Sequence, residues 1–216
     1  MNERQPAAVR QNPWEIVPLS DYEEHMKDSM VGQLTVLNYI MKMQMNVHCI
    51  RSMAILGVAG GNGLEHIPDS VETVYGIDVN VNYLTMCRER YRRLGEKLVT
   101  LRMDLTNEDT VLPHVDLVIA NLLIEYVGVH RFAEQIRAAG PGYLSCVIQR
   151  EEGSSFVSDS PYRRSLMVLD PLHRSVDRTE LVKCMENAGY RLELEEEYGL
   201  PGSKMFIRLD FQAAVE

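Results

Sequence analysis

Two hydrophobic periods alternate along the first two thirds of the chain. Short apolar runs, typical of buried strands, are separated by segments in which apolar residues recur at three- and four-residue steps, typical of helices. The runs predict strands at 53–56, 73–78, 97–102, 115–121 and 143–148. Helices are predicted after the second of these strands and after the fourth, at 81–93 and 129–139. Such alternation favours right-handed crossovers and a parallel sheet that is covered on both faces.

The last third of the chain follows a different pattern. Residues 150–176 are polar and irregular, which predicts a long loop, and long loops are often functional. Asp177 is the predicted N-cap of a helix that stops at Gly189. Strands are predicted at 190–198 and 204–211, and the turn between them is too short for a parallel crossover. The predicted fold class is α/β, with a doubly wound, mostly parallel, seven-stranded sheet that ends in an antiparallel strand pair.

The N-terminal part is predicted to lie outside the sheet. Residues 1–19 are polar and contain three prolines, which predicts a loose arm. Ser20 and Glu23 have the spacing of a capping box, with Ser20 as the N-cap of a helix. We therefore expect an arm and cap helices at 1–47 and one globular domain at 48–216. An amphipathic helical stripe follows Ser20 and comprises Met30, Val31, Leu34, Leu37, Ile40, Met41 and Met45.

Composition and charge narrow the range of functions. The net charge of −9 disfavours nucleic acid as a partner, because phosphate backbones need a basic surface. No apolar signal segment begins the chain, and no run approaches the roughly 18 apolar residues of a membrane span. The cysteines lie far apart, without zinc spacing, and predict buried free thiols in a reducing compartment; they are Cys49, Cys87, Cys146 and Cys184. We expect a cytoplasmic protein without a metal site or a membrane partner, and the oligomeric state stays open.

Polar or glycine residues follow each of the first four predicted strands. In an open α/β sheet, ligands bind beyond these carboxyl ends. The first strand leads into the glycine-rich segment 57–63, and the next three lead to Asp78, Asp104 and Asn121. A carboxylate at Asp78 could accept hydrogen bonds from both hydroxyls of a ribose, and Asp104 could accept from an adenine amine. The alternatives are a helix cap at Asp78 and a turn aspartate at Asp104, whereas Asn121 needs a polar partner in its apolar strand.

The glycine-rich segment, ILGVAGGNGLEHI, does not fit two well-known phosphate-binding loops. Read from Gly61, the dinucleotide motif G-x-G-x-x-G lacks its third glycine, because His66 stands there. A P-loop needs a Gly-Lys-Ser or Gly-Lys-Thr ending, and the segment contains no lysine. The segment therefore does not predict a bound pyrophosphate.

The segment instead resembles motif I of the class I S-adenosylmethionine-dependent methyltransferases, acid-x-Gly-x-Gly-x-Gly. Gly61 and Gly63 match this motif, Ala59 stands for its first glycine, and Gly57 replaces the acid. Further along, VDLVIANLLIEYV resembles the family's fourth-strand motif, and GPGYLSCVI resembles its lead into strand five. The resemblance covers roughly residues 50–211.

This resemblance implies S-adenosylmethionine as the cofactor and methyl transfer to a small-molecule acceptor as the activity. Because the sulfonium is already activated, the protein mainly has to align donor and acceptor and exclude water. The cofactor-binding residues that the resemblance implies are Gly57, Ala59, Gly61, Asn62, Gly63, Asp78, Val79, Asp104, Leu105, Asn121 and Leu122.

The acceptor pocket is expected beneath the helices at 20–47 and the loop at 150–176. A general base is needed only if the acceptor must lose a proton, and His130 and then His25 are the candidates. Two alternative functions stay open. The first is a methyltransferase-like domain that binds a cofactor or partner without catalysis, which is suggested by Gly57 in place of the acid of motif I. The second is an NAD- or nucleotide-dependent oxidoreductase. The candidate pocket residues are Tyr22, Tyr126, Tyr162 and His173.

Overall fold

The centre of the molecule is a seven-stranded sheet. In the computed structural model, which describes residues 11–46, 49–151 and 158–214, the strand order is β3-β2-β1-β4-β5-β7-β6. The strands β1 to β5 pair in parallel, and β7 pairs antiparallel with both β5 and β6. The predicted fold class is confirmed. The strands are β1 (Ser52–Leu56), β2 (Thr73–Asp78), β3 (Leu98–Arg102), β4 (Leu117–Asn121), β5 (Tyr143–Glu151), β6 (Tyr190–Leu200) and β7 (Lys204–Ala213).

Seven α-helices lie in the described residues, and none of them has the length and apolar character needed to cross a membrane. Side-chain N-caps begin two of them: Asn80 accepts from backbone N–H groups at the start of the third helix, and Asp177, as predicted, does so at the start of the seventh. Gly140, with φ 60°, ends the fifth. The helices are α1 (Leu19–Lys27), α2 (Gln33–Met45), α3 (Val81–Arg90), α4 (Ile124–Val127), α5 (Val129–Ala139), α6 (Arg163–Leu166) and α7 (Arg178–Asn187).

The sheet is buried on both faces, which explains why its central strands are continuously apolar. Val118 of β4 belongs to the apolar cluster that contains Phe132 of α5. The next residue, Ile119, belongs to the cluster on the opposite face, which contains Leu84 of α3. Successive side chains of a strand point to opposite faces, so a strand between two helical layers has no polar face.

The beginning of the N-terminal helical region differs from the prediction. Ser20 does not cap a helix, because α1 already begins at Leu19 and its N-cap is Pro18. The apolar stripe is also not continuous, since the chain turns between α1 and α2 at Gly32, which has φ 64°. Met30 lies in this turn and is 69% exposed, so it is not part of the apolar face.

A capping box is present further upstream, where a loose arm was predicted. Asn12 Oδ1 accepts from the Trp14 backbone N–H at 3.1 Å, and Glu15 Oε2 accepts from the Asn12 backbone N–H at 3.2 Å. These bonds start a 3-10 turn over Pro13–Glu15. Residues 1–10 of the predicted arm lie outside the described residues.

The predicted loop at 150–176 contains regular structure. Strand β5 continues to Glu151, and α6 is followed by a 3-10 turn. Leu166 and Leu169 are 3% and 2% exposed and pack with Val17 of the N-terminal segment. The prediction of an irregular loop was wrong here because the short apolar run Leu166–Leu169 packs against the N-terminal segment and forms helical turns. Residues 152–157 of this loop lie outside the described residues.

The cysteines are free thiols, but they are not all buried. Cys87 and Cys146 are buried, as predicted. Cys184 is half-buried and Cys49 is exposed, which corrects the prediction for both. Apolar neighbours in the sequence do not bury Cys49, because it lies in the connection before β1 and not within a strand or helix.

Candidate functional site

A cavity of about 530 Å³ lies at the carboxyl ends of the parallel strands β1 to β4. Its volume is within the range of small-molecule sites, and its place is the one that open α/β sheets use for ligands. We call the part of its lining that belongs to the sheet and its following loops the sheet wall. The sheet wall comprises Gly57, Ala59, Ile77, Asp78, Val79, Met103, Asp104, Leu105, Thr106, Asn121, Leu122 and Leu123.

Asp78 ends β2 with both carboxylate oxygens held by backbone groups. Its Oδ2 accepts from the Ala59 N–H and its Oδ1 from the Asn80 N–H, both at 2.9 Å. Burial raises the pKa of Asp78, and these backbone hydrogen bonds act in the opposite direction. Asn80 supplies the cap of α3, so Asp78 is not needed as the side-chain cap. Each carboxylate oxygen keeps a lone pair for a further donor.

Asp104 begins the turn after β3 and is also bonded within the chain. Its Oδ1 accepts from the backbone N–H and the hydroxyl of Thr106, at 2.9 and 2.6 Å. Its Oδ2 accepts from Asn12 Nδ2 at 3.1 Å. Burial acts to raise the pKa of Asp104, but the bonds from Thr106 and Asn12 prevail and lower it. Asp104 is thus a turn aspartate that lines the cavity and also holds the N-terminal segment.

Asn121 ends β4 and pairs with a side chain that the sequence did not point out. Its amide exchanges two hydrogen bonds of 2.9 Å with Gln44 of α2, and Gln44 is 1% exposed. Asn121 Nδ2 also lies 3.2 Å from the sulfur of Met41. The following residue, Leu122, has φ 55°, a backbone conformation that is uncommon for a non-glycine residue and is enriched at functional sites. The polar partner expected for Asn121 is therefore supplied by α2.

The first half of the glycine-rich segment faces the cavity. Gly57 has φ 71° and Ala59 has φ 46°, and both line the cavity. The Gly57 and Val58 N–H groups donate to the carbonyl of Ile77, which fastens the loop to β2. A side chain at position 57 would be strained at this φ, and its Cβ would lie 3.3 Å from Leu123. This backbone conformation explains why position 57 holds glycine in place of the acid of motif I.

The second half of the segment packs against helices and does not line the cavity. A Cβ at Gly61 would lie 2.6 Å from the ring of Tyr91, and a Cβ at Gly63 would lie 2.6 Å from Cβ of Met41. Asn62 donates to a backbone carbonyl and accepts from a side chain of α2. Gly61 and Gly63 therefore match motif I at positions where this chain needs close packing.

The opposite side of the cavity, which we call the cover wall, is aromatic. It comprises Gln11, Asn12, Pro13, Trp14, Tyr22, Tyr83, Tyr126, Val127, Pro171 and Leu172. The Trp14 ring contacts the rings of Tyr126 and Tyr22 edge to face, at centroid distances of 5.0 and 5.7 Å. Two of the four candidate pocket residues, Tyr22 and Tyr126, thus lie together on this wall.

The N-terminal segment is attached to the sheet by four side-chain contacts. Besides the bond between Asn12 and Asp104, Asn80 Nδ2 donates to the Trp14 carbonyl at 2.9 Å and the Tyr83 hydroxyl donates to the Val17 carbonyl at 2.9 Å. The fourth is an ion pair of Arg102 with Glu15. All four anchors lie on or next to β2, α3 and β3, so this segment covers the same strand ends that carry the two aspartates.

The other candidate residues lie outside this cavity. Tyr162 directly precedes α6, and His173 lies beside Tyr126 with 6.0 Å between ring centroids. His130 is on the outer side of α5, where its side chain is 79% exposed and Nε2 lies 3.3 Å from a carboxylate oxygen of Glu180. His25 lines a neighbouring chamber of about 50 Å³. Chain proximity to β4 pointed to His130, but the helix turns its side chain away from the cavity.

Glu125 is a buried carboxyl group that the sequence reading missed. It has no exposed surface, and its Oε1 accepts from the Gln149 backbone N–H at 2.9 Å. Its Oε2 has no hydrogen-bond partner among the described residues. Burial raises the pKa of Glu125 to about 7, against the opposing effect of the Gln149 N–H. An acid within the apolar run ANLLIEYV was the available signal.

The charged residues that line the cavity are all acidic. Asp78 and Asp104 are its only ionisable residues besides tyrosines, and its described lining contains no lysine, arginine or histidine. Among the described residues, no group of three or more acidic, histidine or cysteine side chains is placed to hold a metal ion. Such a lining attracts a cation and repels a phosphate group. Its aromatic wall can also contact a cation through the ring faces.

A sequence comparison finds a known kind of domain over the part of the chain that carries the sheet wall. Residues 55–140 match a protein family described as a methyltransferase domain. The matched segment runs from β1 to the end of α5 and includes the glycine-rich loop and the three polar strand ends. No curated protein matches the chain in sequence.

Solved structures share the fold at low sequence identity. A magnesium protoporphyrin IX methyltransferase from Synechocystis PCC 6803, with S-adenosylmethionine bound, has a TM-score of 0.68 at 10% identity, over 96% of this chain and 100% of that one. A geranyl diphosphate methyltransferase has a TM-score of 0.65 at 11% identity, over 96% of this chain and 93% of that one. A [4+2]-cyclase has a TM-score of 0.65 at 12% identity, over 95% of this chain and 98% of that one. The chain therefore has the fold of these methyltransferases, and its residues 55–140 match the methyltransferase domain family.

Proposed function

We propose that this protein is an S-adenosylmethionine-dependent methyltransferase that acts on a small-molecule acceptor. The charge of the cavity carries the proposal, because two carboxylates without a basic side chain suit a cationic sulfonium nucleoside. The same charge disfavours a dinucleotide, whose pyrophosphate would meet only negative groups. The solved methyltransferases with the same fold support this choice of cofactor, since one of them was determined with S-adenosylmethionine bound.

The residues of the sheet wall fit such a cofactor. In this proposal Asp78 accepts the hydrogen bonds of both ribose hydroxyls, for which each oxygen has a free lone pair. Val79 and Leu105 provide apolar contacts for the adenine ring, and Gly57 and Ala59 leave room for the methionine part. When bound, the cofactor supplies a methyl group that its positive sulfur already activates.

The cover wall then acts by excluding water and fixing the acceptor. Burial, followed by nearby carboxylates, raises the pKa of Tyr22 and of Tyr126 far above neutral, so both phenols stay uncharged. Together with Trp14 they form an apolar surface against which an acceptor can be aligned with the methyl group. We propose that residues 1–47 serve as this cap, and that residues 48–216 form the cofactor-binding domain.

The proposal is tested by titration calorimetry with S-adenosylmethionine, S-adenosylhomocysteine and NAD. We expect both sulfur ligands to bind and NAD not to bind. Binding of NAD alone would contradict the proposal and support the oxidoreductase. Turnover is tested by the release of S-adenosylhomocysteine over a panel of neutral and anionic metabolites. Cofactor binding without turnover would favour the second candidate, a domain that does not transfer the methyl group, which the glycine at position 57 motivates.

A further inference from the structure

We infer that the small chamber beside the cavity anchors the acceptor, and that it holds a neutral hydroxyl group between His25 and Gln33. The inference rests on the proposed function, because it assigns the chamber to the acceptor of that reaction. The chamber has a volume of about 50 Å³ and shares four lining residues with the main cavity: Trp14, Tyr22, Leu122 and Tyr126.

The size of the chamber limits what can enter it. An apolar cavity of about 150 Å³ accommodates benzene, so a chamber one third as large takes the end of a molecule and not a whole ring. His25 and Gln33 line the chamber but not the main cavity. The group that they hold is therefore an anchor at one end of the acceptor, while the body of the acceptor lies along the shared aromatic residues.

The contact of His25 with Ser160 is the basis on which we assign the tautomer of its ring. His25 is 4% exposed, and its Nδ1 lies 2.7 Å from Ser160 Oγ. Ser160 Oγ already accepts from the Tyr162 backbone N–H at 3.1 Å, and no other described residue accepts its hydroxyl proton. If Ser160 donates this proton to Nδ1, the neutral imidazole carries its own proton on Nε2. Burial, and then the nearby charge of Lys204, lowers the pKa of His25, which keeps the ring neutral.

His25 is therefore a hydrogen-bond donor and not a general base in this arrangement. No described residue forms a hydrogen bond with Nε2, so this N–H is available to a ligand. The assignment differs from the role of base that the sequence indicated for His25. It makes His25 a positioning residue for the acceptor.

Gln33 supplies the complementary acceptor. It is 6% exposed, and its Nε2 donates to Gln149 Oε1 at 2.6 Å. This bond orients the Gln33 amide and leaves its Oε1 without a donor among the described residues. Together, His25 and Gln33 offer one N–H donor and one carbonyl acceptor in a chamber whose other residues are mainly apolar and aromatic.

A hydroxyl group is the simplest group that satisfies both partners, since it accepts from His25 and donates to Gln33. An ether or ketone oxygen would leave Gln33 without a donor, and a carboxylate would face its carbonyl oxygen. An ammonium group has no lone pair for the N–H of His25. The positive charge of Lys204, which could attract a carboxylate, lies 3.7 Å from Glu151. Sites that hydrogen-bond a hydroxyl discriminate strongly against analogues that lack it.

The test compares phenol, anisole and benzoate as probes by ligand-observed NMR on the full chain saturated with S-adenosylhomocysteine. We expect phenol to bind at least tenfold more tightly than anisole or benzoate. His25→Phe keeps an aromatic ring but removes the donor, so it should reduce the affinity for phenol to that for anisole. His130→Phe is the matched control, because His130 is on the outer surface, and it should leave the preference intact.

Equal binding of phenol and anisole, tighter binding of benzoate, or an unchanged preference in His25→Phe would overturn the inference. Gln33→Met provides a second variant if His25→Phe does not fold, and it should cause the same loss of preference. The affinity for S-adenosylhomocysteine is measured in the same samples and should not change in these variants. If that ligand fails to bind the native chain, the proposed function fails instead, and the phenol preference is then measured without it.

Discussion

The two walls of the cavity are held in different ways. On the sheet wall, Asp78 is fixed by backbone N–H groups of two loops that continue buried strands. On the cover wall, Trp14 is attached through its carbonyl to the side chain of Asn80, and Asn12 is attached to Asp104. The sheet wall can move only if strands separate, whereas the cover wall can open when a few side-chain bonds break. Regions with few anchoring bonds open at lower free energy than the core.

This difference separates the roles that the walls can have. The rigid sheet wall suits a constant ligand, and the cover wall suits the exchange of ligands and the choice of acceptor. We therefore expect changes behind the sheet wall to act on folding, changes on its surface to act on cofactor affinity, and changes in the cover to act on rates.

The largest effect should come from the packing side of the glycine-rich loop. Gly61→Ala places a Cβ 2.6 Å from Tyr91 in a backbone with φ 92°. Left-handed backbone strain of roughly 1–2 kcal/mol and overpacking of about 1–3 kcal/mol together predict a loss of about 2–5 kcal/mol in the free energy of unfolding. Urea denaturation measures this loss.

The matched control for this variant is Gly140→Ala. Gly140 has a left-handed backbone, with φ 60° and ψ 45°, but a Cβ there meets nothing within 4 Å. It should lose only the strain contribution, about 1–2 kcal/mol. Equal losses for Gly61→Ala and Gly140→Ala would show that the contact with Tyr91 is unimportant, and that Gly61 serves backbone conformation alone.

The next effect concerns Glu125, which joins the sheet to the cover. Its Oε1 accepts from Gln149 of β5, and its carbonyl accepts from the Arg174 N–H, close to the cover residues Pro171 and Leu172. The folded pKa of about 7 is above the ordinary 4.5, so the fold is more stable when Glu125 is protonated than when it is ionised. That stability is fully present below pH 4.5 and is lost as the pH rises through about 7.

Glu125→Gln should therefore be more stable than the native chain at pH 8, by on the order of 3 kcal/mol, and similar to it at pH 4. Thermal and urea denaturation across this pH range measure the difference. Glu134→Gln, at an exposed side chain, is the control and should show no such dependence. A stability difference for Glu125→Gln that is independent of pH would contradict the burial of a titrating carboxyl group.

The third effect is on the surface of the sheet wall. Asp78→Ala should weaken the binding of S-adenosylhomocysteine by about 1.5–3 kcal/mol, the range for hydrogen bonds to a charged group, which is roughly 10- to 150-fold in the dissociation constant. Asp78→Asn keeps one acceptor oxygen and should lose less. Calorimetry gives both values. An unchanged affinity in Asp78→Ala would mean that Asp78 only holds the loops at Ala59 and Asn80 together.

The sheet wall was also the part of the site that could best be predicted from the sequence. Strands buried on both faces leave uninterrupted apolar runs, and a polar residue that ends such a run, as Asp78 and Asn121 do, marks the edge where ligands bind. The same reasoning could not separate Gly57 from Gly61. A residue without a side chain is needed both beside a ligand and beside a packed ring. The presence of glycine does not indicate which of the two lies next to it.

The cover wall could not be derived in this way, because its contacts join residues that are distant in the chain. Asn12 meets Asp104 across 92 residues, and the carbonyl of Trp14 meets Asn80 across 66. Nothing in the local sequence near Trp14 indicates that its ring closes a cavity at strand ends 42 and more residues away. Hydrophobic periodicity reports burial along one element, and a lid made of single side chains has no such period.

The smallest effect should come from the cover itself. Asn12→Ala removes the bond to Asp104, about 0.5–1.5 kcal/mol, and the cap of the Pro13–Glu15 turn, about 0.5–2 kcal/mol, from the local stability of the cover. Since the cover opens more readily, S-adenosylhomocysteine should dissociate several-fold faster, with a smaller change in its association rate. Stopped-flow displacement measures both rates.

Asn46→Ala is the matched control for the cover, because Asn46 also bonds through its amide but at the far end of α2, where Nδ2 donates to the Lys42 carbonyl. It should leave both rates unchanged. Hydrogen exchange should show faster exchange of the 12–17 backbone in Asn12→Ala, with the protection of β2 unaltered. If Asn12→Ala instead weakens binding as much as Asp78→Ala, the two walls are coupled as one rigid unit, and the distinction between a fixed sheet wall and an opening cover fails.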